Sequence, residues 1–223
     1  MPYRKTPLVV GEVYHVFNRS VAHQPIFLTN GYYQRAYEVI SYYGNLNPPI
    51  RFSHFSRLPY SIKNQMLESL NKENKKLVKI LAFALMPNHV HFLIKEIEEN
   101  GITTFMRKFQ NSFARYFNTK TERSGSLFQS MFKATRILTE EQLIHTTRYI
   151  HLNPLTSYIL KNFKQLENYS WTSYPIYIGK SQSNLVDKVV ILSLFSSINK
   201  FIQFTKDQVD YQRQLDKIKH LIK

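Results

Sequence analysis

The spacing of hydrophobic and polar positions changes several times along this chain, and each change marks an element. Residues 12–18, Glu-Val-Tyr-His-Val-Phe-Asn, alternate and predict an opening strand. Tyr32, Tyr33, Ala36, Tyr37, Ile40 and Tyr43 then recur at helical spacing over 31–43. Gly44, Asn45, Asn47, Pro48, Pro49 and Pro59 break that pattern, so 44–60 predicts loop, with a charged helix after it over 61–76. The stretch 44–76 reads as an insertion between core elements. Residues 77–86 and 88–95 are apolar strands joined around Met86-Pro87-Asn88, expected at the centre of a sheet.

A second helix is predicted over 102–118, with Phe105, Met106, Phe109, Phe113, Tyr116 and Phe117 as its apolar stripe. Arg107, Lys108, Gln110, Asn111 and Arg115 fall on its other face. A basic loop over 119–130 leads to a strand over 132–138. Thr139 is a plausible N-cap, followed by Glu140, Glu141 and Gln142 in a first helical turn. That helix is expected to run to 151–153 and stop at Pro154. A polar linker over 180–186 separates a core domain, 1–180, from a helical C-terminal extension, 181–223. The succession strand, helix, insertion, strand, strand, helix, strand, helix suits an α+β fold, a ferredoxin-like antiparallel sheet with helices on it.

Composition narrows the chemistry. The chain has 223 residues, 43% of them hydrophobic, enough for a sizeable core. It has no cysteine, which excludes a disulfide framework and thiolate metal ligation. No apolar run is long enough to span a membrane, and Met1-Pro2-Tyr3-Arg4-Lys5 lacks a signal-peptide core, so a cytoplasmic protein is expected. The formal net charge of +15 reads either as a soluble protein that repels its own kind or as the electrostatic footprint of a nucleic-acid partner.

His89 and His91 stand two apart in a predicted strand, so both imidazoles project from one face, flanked by core-facing Val90 and Phe92. They are either two arms of a metal site or two satisfied histidines at a strand end. Zinc would need one or two further ligands, and neither cysteine nor a His-Glu-x-x-His pattern supplies them. Tyr149 and Asn153 are four apart, one helical turn, and project together. The amide oxygen could complete a hard-metal site, and the phenol could attack a metal-bound phosphate. Alternatively they are a core tyrosine and a helix-ending asparagine. His145, one turn before Tyr149, is a competing ligand, a proton acceptor or a surface histidine; His15 reads as a packed or exposed strand histidine.

Taken in order, these segments form a pattern. Met86-Pro87-Asn88-His89-Val90-His91-Phe92-Leu93-Ile94 resembles the HUH motif (His, bulky apolar residue, His) of single-tyrosine transposases. Arg148-Tyr149-Ile150-His151-Leu152-Asn153-Pro154 is similar to their tyrosine-helix signature. Ser124-Gly125-Ser126-Leu127-Phe128-Gln129-Ser130-Met131-Phe132-Lys133 resembles the "SGxLWQxxFK" segment of the IS200-like, REP-associated branch. Tyr14-His15-Val16 and Tyr169-Ser170-Trp171-Thr172-Ser173-Tyr174 fit the same branch. The resemblance spans about 8–180; the insertion and the tail lie outside its matched core.

The resemblance implies the HUH endonuclease fold, which is ferredoxin-like or RRM-like. It implies a transposase that cleaves and rejoins single-stranded or hairpin DNA through a 5′-phosphotyrosine, with Tyr149 as nucleophile. His89, His91 and Asn153 match the ligands of a divalent cation, Mg2+ or Mn2+; some relatives carry Gln at the last position, and Asn is shorter. A homodimer is compatible with it, and no membrane partner is expected. The alternative is a domesticated relative that binds DNA structure without cutting. Lys108, Arg115, Lys120, Arg123, Lys133 and Arg136, between the histidine strand and the tyrosine helix, are the phosphate-contact candidates.

Overall fold

A computed structural model describes residues 7–207. The charged N-terminal pentapeptide and the end of the predicted C-terminal extension, 208–223, lie outside the described residues. The strands are β1 (Val13–Arg19), β2 (Val78–Met86), β3 (His89–Glu96) and β4 (Lys133–Arg136). The main helices are α1 (Asn30–Tyr43), α3 (Tyr60–Glu73), α4 (Gly101–Lys120) and α5 (Glu140–Thr156). Short helices are α2 (Phe52–Phe55), α6 (Phe163–Leu166), α7 (Tyr174–Tyr177), α8 (Val189–Leu192) and α9 (Ile198–Lys206).

The strands form an antiparallel sheet in the order β2-β3-β1-β4. The βαβ pair β1 and β2 is therefore split by β3, which is the ferredoxin-like arrangement. Both hairpin strands were expected at the centre, but only β3 lies inside the sheet order and β2 is at its edge. That edge is not left bare. Leu85 N–H donates to the Trp171 carbonyl at 2.8 Å, and Ser173 N–H donates to the Phe83 carbonyl at 3.0 Å. Ile80 bridges to Val186 further along β2. Covering an edge in this way removes a template for wrong pairing.

The chain divides into two compact units. The first holds the described residues up to Lys79 together with Pro87–His89 and Ile94–Arg136; the second holds Ile80–Met86, Val90–Leu93 and the described residues from Ile137 on. In the first unit β1 pairs with β4, His15 opposite Thr135, and α1 packs on α4. Phe105, Met106, Phe109, Phe113 and Phe117 bury the predicted stripe of α4. Its first residue must be glycine, because a Cβ on Gly101 would stand 2.4 Å from the Leu77 carbonyl oxygen.

The segment expected to be an irregular loop before the charged helix contains one turn of helix, α2. Aromatic contacts form it. Tyr42 stacks on Phe55 at 4.5 Å between ring centres, Tyr42 Oη donates to the Ile50 carbonyl at 2.7 Å, and Phe52 N–H donates to Tyr43 Oη at 3.1 Å.

In the second unit Thr139 caps α5 as the sequence predicts, its hydroxyl accepting from Gln142 N–H at 3.1 Å. The Gln142 amide oxygen in turn accepts from Leu138 N–H at 2.9 Å, close to a capping box. Pro154 does not end this helix; α5 continues to Thr156. Proline removes only one N–H and crowds the turn before it, so it is tolerated this near the terminus.

Candidate active site

Strand β3 carries both histidines, and the two compact units divide between them. His89 belongs to the first unit, half-buried, with its Nδ1 2.6 Å from Asn88 Oδ1. Burial, with Arg19 and His23 nearby, lowers its pKa to about 4, so the ring is neutral at neutral pH. Neutral imidazole is the form that ligates a metal. Asn88 is itself held by its amide, which donates to the His23 carbonyl at 3.0 Å, and its own carbonyl accepts from Ser20 N–H at 2.9 Å.

His91 belongs to the second unit and is buried. Its ring meets that of Tyr149 edge-on, with centroids 5.7 Å apart and planes at 87°. Tyr149 is half-buried on α5, and Asn153, one turn on, is buried. The Asn153 Oδ1 is 3.5 Å from Ser157 Oγ, while its amide nitrogen is buried without a hydrogen-bond partner. Rotating the amide half a turn would present its oxygen, a hard donor, in that unfilled direction. Among the described residues no three His, Cys, Asp or Glu side chains group as a metal site would need. A cation on this strand therefore requires a donor of another type, and the Asn153 amide is of the right chemistry.

The back of α5 is fixed by groups that periodicity did not single out. His151 is fully buried, with Nε2 2.8 Å from Ser173 Oγ and ring contacts to Tyr174, Tyr177 and Phe201. Ser173 Oγ also accepts from Phe83 N–H at 3.0 Å, so one hydroxyl ties α5 to β2. Arg148 lies over the Phe204 ring at 4.1 Å, donates to the Phe204 carbonyl at 3.1 Å and lies 2.7 Å from His145 Nδ1. His145 is thus engaged with Arg148 and the Phe204 ring. The sequence signals for this brace are the resemblances of the tyrosine-helix segment, which holds Arg148 and His151, and of the segment around Trp171.

Residues 56–153 match the family model described as transposase, IS200-like. The match begins within the stretch read as an insertion and takes in His89, His91, Tyr149 and Asn153. A solved REP-associated tyrosine transposase bound to a REP hairpin shares the fold of the chain, with a TM-score of 0.52 and 13% identity over 84% of this chain and 94% of that one. A crystal structure of a transposase candidate from Deinococcus radiodurans R1 gives a TM-score of 0.36 at 13% identity, covering 67% of this chain and 95% of that one, too low to bear on the fold. No curated protein sequence matches the chain.

Of the six cations singled out around α4 and β4, Lys108, Arg115 and Lys120 line one groove of the first unit. The other three stand outside it. Arg123 braces its own loop, donating to Asn118 Oδ1 at 3.2 Å and the Ser126 carbonyl at 2.9 Å. Arg136 pairs with Glu12 through Nε and Nη2, at 3.1 and 2.6 Å. Lys133 is exposed, its ammonium 6.0 Å from the centre of the Phe17 ring. His15 is half-buried beside the same Phe17 ring, 5.2 Å away, with its pKa lowered to about 4 by burial. Among the described residues no helix is long and apolar enough to cross a membrane.

Proposed function

We propose that this chain cuts and rejoins single-stranded or hairpin DNA, with Tyr149 as the nucleophile. The observation that carries the reading is the edge-on contact of His91 with Tyr149, with buried Asn153 one turn along the same helix. The Tyr149 phenol oxygen attacks the scissile phosphorus and loses its proton. The bond from phosphorus to the 3′ oxygen breaks, and that oxygen takes up a proton. The downstream fragment stays joined to Tyr149 through its 5′ phosphate, and the upstream fragment is left with a free 3′-OH. Attack by a second 3′-OH reverses the exchange, so no nucleotide triphosphate is consumed. Tyrosine, unlike water, keeps the cut strand attached.

His89, His91 and Asn153 would hold a divalent cation, Mg2+ or Mn2+. Bound there, it would polarise the phosphoryl oxygens and orient them. The buried His91 edge limits the positions open to the phenol ring, and the tie from His151 to Ser173 holds the helix that carries it. A DNA hairpin partner is supported by the net charge of +15 and by the REP hairpin bound to the structurally similar transposase.

The test is a covalent adduct. Labelled hairpin DNA from the flanks of the protein's own coding region is incubated with the protein and Mn2+ or Mg2+, then run on a denaturing gel. Wild type is expected to retain label and Tyr149→Phe to retain none. An adduct persisting in Tyr149→Phe rejects the nucleophile. Binding without any adduct from wild type favours a protein that reads DNA structure and no longer cuts.

A further inference from the structure

A groove of about 1480 Å3 lies wholly within the first compact unit. One wall is α4, which contributes Arg107, Lys108, Arg115 and Lys120. The facing wall is the segment between α1 and α3, which contributes Pro48, Pro49, Arg51 and Arg57. Arg35 of α1 also lines it, and Gly125 to Ser130 lie along it. No Asp or Glu is among these lining residues. A concave surface with cations on both sides and no carboxylate concentrates positive potential where a polyanion would lie.

Two details say which part of a nucleic acid fits. The Arg35 guanidinium lies over the Phe52 ring at 4.4 Å and the Tyr116 ring at 5.0 Å, and Lys108 Nζ lies 5.7 Å from the centre of the Tyr43 ring. Sites for single strands offer open aromatic faces on which bases stack. Here Arg35 and Lys108 already sit over faces of the Tyr116 and Tyr43 rings. Arg51 and Arg57, exposed on residues that line the groove, offer guanidinium donors that suit phosphate oxygens and not base faces.

We infer that this groove holds the phosphate backbone of a double-helical DNA stem, and that the segment between α1 and α3 is its second wall. The inference deepens the proposed function and rests on it for the choice of hairpin DNA. The wall is fixed by the chain itself: Tyr42 and Tyr43 hold it through the Ile50 carbonyl and the Phe52 N–H, and Lys76 Nζ donates to Asn45 Oδ1 at 2.6 Å at its root. Arg51 and Arg57 are exposed on that wall, so changing them leaves the packing in place.

The experiment measures binding and cutting separately in the full chain. The probes are a labelled DNA hairpin with a paired stem of about one helical turn, roughly 10 base pairs, and the same strand with its stem disrupted by mismatches. The variant is Arg51→Glu with Arg57→Glu, and Arg51→Lys with Arg57→Lys is the conservative control. At about 150 mM salt the Glu variant should bind the hairpin at least ~10-fold more weakly, with the slope of log affinity against log salt reduced by roughly 2. The Lys variant should keep most of the affinity. Unchanged hairpin affinity and slope in the Glu variant overturns the inference. Equal losses for hairpin and mismatched strand also overturn it, because the groove would then hold single strand. Absence of adduct from wild type on either probe counts against the proposed cutting reaction alone, since the stem-binding comparison needs no turnover.

Discussion

Stability below neutral pH should depend on His151. This imidazole is fully buried behind the tyrosine helix, and burial lowers its pKa from 6.5 to about 3. Between those values the unfolded chain binds a proton that the folded chain refuses. Stability is therefore complete above about pH 6.5 and is lost as pH falls toward the folded value. One pKa unit corresponds to about 1.4 kcal/mol, so the loss between pH 8 and pH 5 from this residue is roughly 2 kcal/mol. His15 and His89, both lowered to about 4, add slope of the same sign and must be cancelled. His151→Gln does this, because it removes one titration and leaves the others. Urea unfolding is followed at pH 8 and pH 5 with chelator present, using the fluorescence of the single tryptophan, Trp171, whose carbonyl is bonded to Leu85 of β2. At pH 8 the variant should be less stable by roughly 1–3 kcal/mol, for the lost buried hydrogen bond. At pH 5 that gap should have closed by roughly 2 kcal/mol. A gap that stays constant with pH refutes the reasoning, since His151 would then titrate alike in both states.

Other substitutions test the frame around the site. Gly101→Ala places a methyl against the Leu77 carbonyl, a backbone atom that cannot swing aside, and should cost roughly 1–3 kcal/mol in a thermal melt; an unchanged melting temperature would contradict the close approach. Thr139→Ala removes the cap of α5 and should cost about 1 kcal/mol, whereas Thr139→Asp should cost little. Arg123→Ala frees the loop that it ties to Asn118 and Ser126, so amide exchange over 121–130 should quicken while β2 is unaffected. Added Mn2+ should raise the melting temperature of wild type and not that of Asn153→Ala, and equal shifts in the two would remove Asn153 from the ligand set.

Local periodicity carries much of this architecture because the relations it encodes are local. Positions i and i+2 of a strand, or i and i+4 of a helix, share a face whatever surrounds them. That is enough to order β1, α1, β2, β3, α4, β4 and α5, and to set Asn153 one turn from Tyr149. It says nothing about which distant strand edge a loop will cover. The segment around Trp171 lacks strand alternation, yet its backbone pairs with β2, because an unpaired edge and a loop with free N–H groups satisfy each other. Pro154 shows a related gap, since the local rule forbids proline in a helix interior but is nearly neutral in a last turn. The cations show the widest one. Lys108 and Arg136 look alike in sequence, but Arg136 meets Glu12, 124 positions away, while Lys108 faces a groove whose lining residues include no carboxylate. Charge state is local, but charge partnership is tertiary. Composition can therefore say that the chain carries an excess of cations, and only the packing of α1, α4 and the segment between α1 and α3 says which of them remain available to a polyanion.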